Sequence, residues 1–236
     1  ENSQFWQMKL KLPKLKSIRS STGSKILKEA ESIAIKYYST LRKKTNININ
    51  RKNNIFKKIH LVETSDLNKK EIQHILYEAK KYIAYNKKRN KKINILEGRT
   101  IFNLFFEDST RTRTSFEVAA KRLGADLINV VVKDSSINKG ETLLDTMTTI
   151  NSMNPDILII RHPEDGISKR ISKSVEASVI NAGDGSHEHP TQALLDALTI
   201  KNKFNNFAKL KIAICGDILH SRVARSNIII LSKLGA

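Results

Sequence analysis

The chain has 236 residues, 39% of them hydrophobic, enough for one large domain or for one domain and part of another. No apolar run approaches the ~18–20 residues of a membrane span, and a single cysteine excludes an internal disulfide framework and a cysteine-based zinc site. The net charge of +19 is unevenly spread: residues 1–100 carry 25 Lys+Arg against 8 Asp+Glu, and residues 101–236 carry 17 against 15. The basicity belongs to the leading segment, where abundant Lys and Asn without a binding motif read as compositional bias rather than a nucleic-acid surface.

Met8 is the first methionine, and from Met8 to Ser24 there is no acidic residue. That stretch superficially resembles a transit peptide, although such peptides favour Arg over Lys. Residues 25–44 carry an amphipathic helical pattern through Ile26, Leu27, Ala30, Ile33, Ala34, Tyr37 and Leu41. Thr45 to Asn54 is Asn-rich and reads as a linker. Residues 1–54 are thus expected to be a basic extension and linker, with a first folded domain over 55–203.

Asn68-Lys69-Lys70-Glu71 reads as a capping box opening a helix through Tyr82. Ile101 to Phe106 reads as a buried strand. A polar turn follows, and then a helical pattern through Phe116, Ala119, Ala120 and Leu123. Ser109 and Thr110 stand where that helix starts. A helix N-terminus offers free N–H groups and the positive dipole end, and Arg111 and Arg113 add guanidinium donors. Simple capping explains one hydroxyl residue there, but not two hydroxyl–Arg pairs after a buried strand. The stretch is therefore read as a site for a phosphate ester or anhydride.

Further strands are expected at Leu127–Val132, at Asp156–Ile160 ending on Arg161, and at Val179–Ala182. Helices are expected at Thr142–Met153 and from Pro190 to about Lys203. Strands alternating with helices imply an α/β fold: a parallel sheet with helices on both faces and ligands at the strand C-termini. Arg111, Arg161 and His189 all follow strand ends. From 204 to 236 the pattern restarts, with strand Lys211–Cys215, a Gly216–Arg222 turn, and helix Val223–Leu234. This reads as the first strand and helix of a second, Rossmann-like domain, with Cys215 buried.

Three more segments join the Ser109–Arg113 run: Ser135-Ser136-Ile137-Asn138-Lys139-Gly140-Glu141-Thr142, Arg161-His162-Pro163, and His187-Glu188-His189-Pro190-Thr191-Gln192. In order and spacing they resemble the carbamoyl-phosphate half of the aspartate carbamoyltransferase family, from about His60 to the last residue. The resemblance implies carbamoyl transfer from carbamoyl phosphate to the amine of L-aspartate, with no metal and no cofactor. It implies that Ser109, Thr110, Arg111 and Thr112 hold the phosphate, and that Thr112, Arg161 and His189 surround the carbonyl oxygen. Gln192 would accept from the carbamoyl amino group. Arg222 would bind an aspartate carboxylate, and Glu107 would pair with Arg222 across the domain gap. Ser136 and Lys139 would reach a neighbouring subunit's site, Lys139 also touching aspartate, in a homotrimer with shared sites. His162 and His187 are read as structural. The single free cysteine fits a reducing cytoplasm, and any regulatory or dihydroorotase partner is left open.

The rival reading is ornithine carbamoyltransferase, whose usual loop lacks Lys-Gly-Glu-Thr and whose usual turn lacks the Gly-Asp-x-x-x-Ser-Arg pattern of 216–222. A non-catalytic family member and a basic nucleic-acid module are the others. By resemblance, much of the aspartate-binding domain lies beyond this sequence. The 236-residue chain is accordingly expected to bind carbamoyl phosphate weakly and not to carbamoylate aspartate. Its last helix is expected to leave Ile228, Ile229, Leu231 and Leu234 without partners.

Overall fold

A computed structural model describes residues 59–131 and 142–236, together with a two-residue antiparallel pair, Lys9–Leu10 with Ile18–Arg19. The expected helix over 25–44 and the linker lie outside the described residues, as do Ser135, Ser136 and Lys139. Helix α1 (Lys69–Asn86) opens with the expected capping box: Asn68 accepts from the Glu71 N–H, and Glu71 accepts from the Asn68 N–H. Strand β1 (Thr100–Phe105) leads to α2 (Thr110–Leu123), then β2 (Asp126–Val131), α3 (Leu143–Ser152), β3 (Ile157–His162), α4 (Ile167–Ser172), β4 (Ser178–Asp184), α5 (Pro190–Phe204) and α6 (Arg222–Leu234). A second capping box, Thr142 with Asp145, starts α3.

The four strands form one parallel sheet in the order β2-β1-β3-β4. Leu61 adds a parallel bridge outside β4 through hydrogen bonds with Val179 and Asn181. Strand alternation sends side chains to opposite faces. Ile101, Phe105, Ile157, Ile159, Ile180 and Ala182 face the layer of α1, α2, α5 and α6, while Phe102, Leu104, Leu158, Ile160 and Val179 face the layer of α3 and α4. The central strands are buried on both faces, as parallel strands covered by helices must be. The helical stripe read from the sequence is the buried stripe of α2: Phe116, Ala119 and Ala120 are fully buried and Leu123 nearly so.

The chain proceeds from β1 to β2 on one side and to β3 on the other. The strand order therefore reverses beside β1, and the crevice between the C-terminal ends of β1 and β3 is where such a sheet binds ligands.

Two expectations about the last segment differ from the structure. Residues Lys211–Cys215 form no strand, and Cys215 is exposed rather than buried. A strand needs a continuous ladder of hydrogen bonds along an edge, whereas among the described residues this stretch has a single bridge residue, Ala213, with Ile212 packed against the core. Helix α6 does form, but its apolar face is largely covered. Ile230, Leu231 and Leu234 are buried in the same cluster as α1 and α5, and only Ile228 stands well exposed. Each such side chain contributes roughly 1.5–3 kcal/mol on burial, so α6 is anchored on the sheet domain and not left frayed.

Candidate functional site

The loops leaving β1, β3 and β4 meet at the crevice. After β1, Ser109 takes the N-cap position of α2 with a non-helical backbone, yet its side chain makes no capping hydrogen bond. The plain capping reading therefore does not account for it. The first turn is tightened from within: the Ser115 hydroxyl lies 2.9 Å from the Arg111 carbonyl and 2.8 Å from that of Thr112. Thr112 is buried, Ser109 partly so, and Thr110 and Arg111 are exposed. The helix thus presents free N–H groups, two hydroxyls and a guanidinium at its positive end.

Glu107, in the same turn, joins two arginines from distant parts of the chain. Its Oε1 accepts from Arg161 Nη2 at 2.7 Å and from Arg222 Nη2 at 2.7 Å. The Glu107–Arg222 pair is the one expected from the sequence; the Arg161 contact is additional. Arg161 also donates through Nη1 to the Ala182 carbonyl at 3.1 Å. Burial pushes the Arg161 pKa down to about 10; Arg222 adds to this, Glu107 opposes it, and Arg111 contributes a smaller repulsion. Three guanidinium groups therefore share one field with a single carboxylate beside them. Arg161 Nε and Arg222 Nη1 are buried and have no hydrogen-bond partner among the described residues. Buried donors of this kind are costly unless something accepts from them.

His189 is the N-cap of α5, with Pro190 at the first helical position, where a missing N–H costs nothing. Its ring is buried, with Nδ1 3.3 Å from Thr191 Oγ1. Burial first, then Arg161 and Arg222, hold its pKa well below the ordinary histidine value, so the imidazole is neutral. Gly183, at the end of β4, marks where these groups converge. A methyl group at its Cα would stand 2.9 Å from Arg161 Nη1, 3.2 Å from Arg222 Nη1 and 3.3 Å from His189 Cδ2. Gln192 lies one turn into α5, three residues after His189 and on the same helix face. Its Nε2 donates to Asp196 Oδ1 at 3.0 Å.

The structure thus brings Glu107, Arg161, His189 and Arg222 together, with Arg111 within electrostatic reach of Arg161. Lys139 and Ser136 lie outside the described residues. His162 is held locally: Nδ1 accepts from the Glu164 N–H at 2.9 Å and the ring packs on Phe106. His187 Nδ1 sits 3.4 Å from Asp184 Oδ1. Among the described residues no group of three His, Cys, Asp or Glu could hold a metal ion, and no helix is long and apolar enough to cross a membrane.

Sequence reasoning missed the supports beneath these residues. The buried Glu188 carboxylate accepts from the Thr64 N–H at 2.8 Å, the Thr64 hydroxyl at 2.6 Å and the Ser226 hydroxyl at 3.2 Å. Ser226 Oγ in turn accepts from the His189 N–H at 2.8 Å. Glu188 sits inside a motif that was singled out, and an acidic residue flanked by two histidines was the available signal. Its partners, 124 and 38 residues away, carried none.

The family model of the aspartate/ornithine carbamoyltransferase carbamoyl-P binding domain matches residues 59–202. The aspartate carbamoyltransferase catalytic subunit of Pelagibacter ubique is 55% identical over 177 residues, covering 75% of this chain and 56% of that protein. That of Caulobacter sp. (strain K31) is 53% identical over 181 residues, covering 77% of this chain and 54% of that protein. Among solved structures, aspartate transcarbamoylase from Trypanosoma cruzi in complex with aspartate and phosphate superimposes with a TM-score of 0.68 at 36% identity, covering 75% of this chain and 57% of that one. The same enzyme with carbamoyl phosphate and aspartate gives 0.67 at 36% identity, covering 75% and 54%. The chain spans about half the length of these relatives. With its parallel sheet, its Ser109–Arg113 helix start and its His189–Gln192 turn, the chain belongs to the aspartate/ornithine carbamoyltransferase family through that carbamoyl-P binding domain.

Proposed function

We propose that this chain carries the carbamoyl-phosphate half of an aspartate carbamoyltransferase, which forms N-carbamoyl-L-aspartate and phosphate in an early step of pyrimidine synthesis. The observation that carries the reading is the convergence of Arg161, Arg222 and neutral His189 around Gly183, beside a helix start rich in donors. The phosphate sits against Ser109, Thr110, Arg111 and Thr112. Its carbamoyl carbonyl faces Arg161, His189 and Thr112. The Thr191 hydroxyl lies 3.3 Å from Nδ1; in the tautomer where that hydroxyl donates, the His189 proton resides on Nε2, from which it can be given to a carbonyl oxygen. The amine of aspartate attacks the carbonyl carbon and the oxygen becomes an oxyanion held by these donors; the C–O bond to phosphate then breaks, phosphate leaves with the bonding pair, and it takes up the proton shed by the nitrogen. Positioning and charge do the chemistry; no residue becomes covalently attached to substrate.

Arg222 receives a carboxylate of the acceptor. An ornithine acceptor would bring its own cation among Arg222, Arg161 and Arg111, whereas a dicarboxylate is attracted by them. Titration of the chain with carbamoyl phosphate and with inorganic phosphate tests the reading. Arg111→Ala should weaken both by about tenfold to a hundredfold, since a charge-assisted hydrogen bond is worth roughly 1.5–3 kcal/mol. No binding by the parent chain sinks the reading, and unchanged binding in the variant removes Arg111 from the site.

A homotrimer in a cytoplasmic setting belongs to this proposal, with Ser136 and Lys139 acting on a neighbour's site. In a protein carrying this chain, inactive Arg111→Ala and inactive Lys139→Ala forms, mixed after dissociation, should regain activity in hybrid trimers. Demonstrated subunit exchange without recovery counts against shared sites.

A further inference from the structure

The mechanism leaves unused a titratable group that touches Gln192 directly. Asp196 lies on α5, four residues beyond Gln192, and its two oxygens are divided between two amides. Oδ1 accepts from Gln192 Nε2 at 3.0 Å, and Oδ2 accepts from Asn227 Nδ2 at 2.7 Å. Asn227 is buried on α6, five residues after Arg222. A carboxylate can only accept, so both amides must turn their NH2 groups toward it. Gln192 Oε1 then points the other way, and no group donates to it among the described residues. Asp196 keeps a little accessible surface, but its crowded setting raises its pKa to about 6, with the two amides opposing the rise. It is therefore ionised at neutral pH and fixes the amide direction there.

We propose that Asp196 is a positioning residue that locks Gln192 with its carbonyl oxygen toward the ligand, making the site select an amino group on the acyl phosphate, and that Asn227 ties this lock to the helix bearing Arg222. This rests on the reading of the crevice as a carbamoyl-phosphate site. Carbamoyl phosphate carries an NH2 that an amide oxygen can accept from; acetyl phosphate has a methyl group of similar size there. An amide presenting its own NH2 would instead meet the carbamoyl NH2 donor to donor. The direction of Gln192 thus decides whether the two ligands are told apart.

The test is the ratio of affinities for carbamoyl phosphate and acetyl phosphate, with inorganic phosphate as the control for an intact phosphate site. The parent chain should prefer carbamoyl phosphate. Asp196→Ala should bring the ratio about tenfold closer to one while phosphate binding holds, since a single oriented hydrogen bond is at stake. Adding Gln192→Ala to Asp196→Ala should cost little more, because the two residues act as one unit. A merely structural role would weaken all three ligands together and leave the ratio alone. A parent-like ratio in Asp196→Ala with normal phosphate binding overturns the proposal. If that variant does not fold, Asn227→Ala decides: a reduced ratio supports the lock, an unchanged one overturns it. Failure of the parent chain to bind carbamoyl phosphate at all overturns the crevice reading itself, whereas parent binding without variant effects overturns only the role of Asp196.

Discussion

Replacing Arg161 by alanine is expected to lower carbamoyl transfer by roughly 10²–10³-fold, the usual loss on removing one donor to a developing oxyanion. The effect should fall on the chemical step more than on phosphate affinity, because the proposed phosphate site is the α2 start and Arg161 is proposed to face the carbonyl. The assay is carbamoyl-aspartate formation by a protein carrying this chain, with inorganic phosphate binding measured alongside. A second readout is independent of turnover. After burial, Arg161 is the largest influence holding the His189 pKa down, ahead of Arg222. Its removal should let the imidazole titrate closer to its ordinary value, observable as a pH-dependent shift of the ring resonances. Glu107 would keep Arg222 as its partner, so the turn after β1 should survive. Near-parental turnover together with an unmoved His189 would remove Arg161 from the site.

The same charges explain why the site is poised without a ligand-sized counter-charge of its own. Glu107 is shared between Arg161 and Arg222, and each arginine keeps one buried donor atom unpartnered among the described residues. An arriving phosphoanhydride or carboxylate supplies acceptors to groups already desolvated, so little reorganisation is needed when charge develops. The neutral state of His189 belongs to this design: a further cation in its place would add to the repulsion among the arginines, while a neutral N–H donates without doing so.

Periodicity made much of this fold legible. The spacing of Phe116, Ala119, Ala120 and Leu123 marked a buried helical face, and the run Ile101–Phe106 marked a strand buried on both sides. Caps also read well, because the Asn68–Glu71 box is made within four residues. Lys211–Cys215 failed because an apolar run states a wish for burial, whereas a strand also requires an edge, and the edge is not written in the run. The site was legible as positions after strand ends, and much less so as contacts. Nothing local says that Glu107 meets residues 161 and 222, that Ser226 carries the His189 backbone, or that Asp196 finds Asn227 across a helix pair. These are polar pairings over 31 to 115 residues, set only once the hydrophobic faces of α5 and α6 have docked.

Gly183→Ala is expected to abolish carbamoyl-phosphate binding while leaving the sheet folded. Two costs act there. The backbone has φ of +113°, a region that an alanine enters only with strain of order 1–3 kcal/mol. The new methyl group would also stand 2.9 Å from Arg161 Nη1 and within 3.3 Å of both Arg222 Nη1 and His189 Cδ2. Three groups of the crevice would have to move, and moving Arg161 breaks its hydrogen bond to the Ala182 carbonyl next door. Gly98→Ala separates the two costs. Gly98 also has a positive φ, +72°, but a methyl group there meets nothing within 4 Å. It should show a comparable loss of stability in thermal unfolding with ligand affinity preserved. Gly183→Ala should lose affinity at least a hundredfold at temperatures where circular dichroism still reports a folded chain, since displaced donors 1 Å out of place forfeit most of their contribution. Retained binding in Gly183→Ala would mean that Arg161, Arg222 and His189 do not meet the ligand at this point. Equal loss in both variants would trace the effect to the backbone and not to the crowding of the crevice.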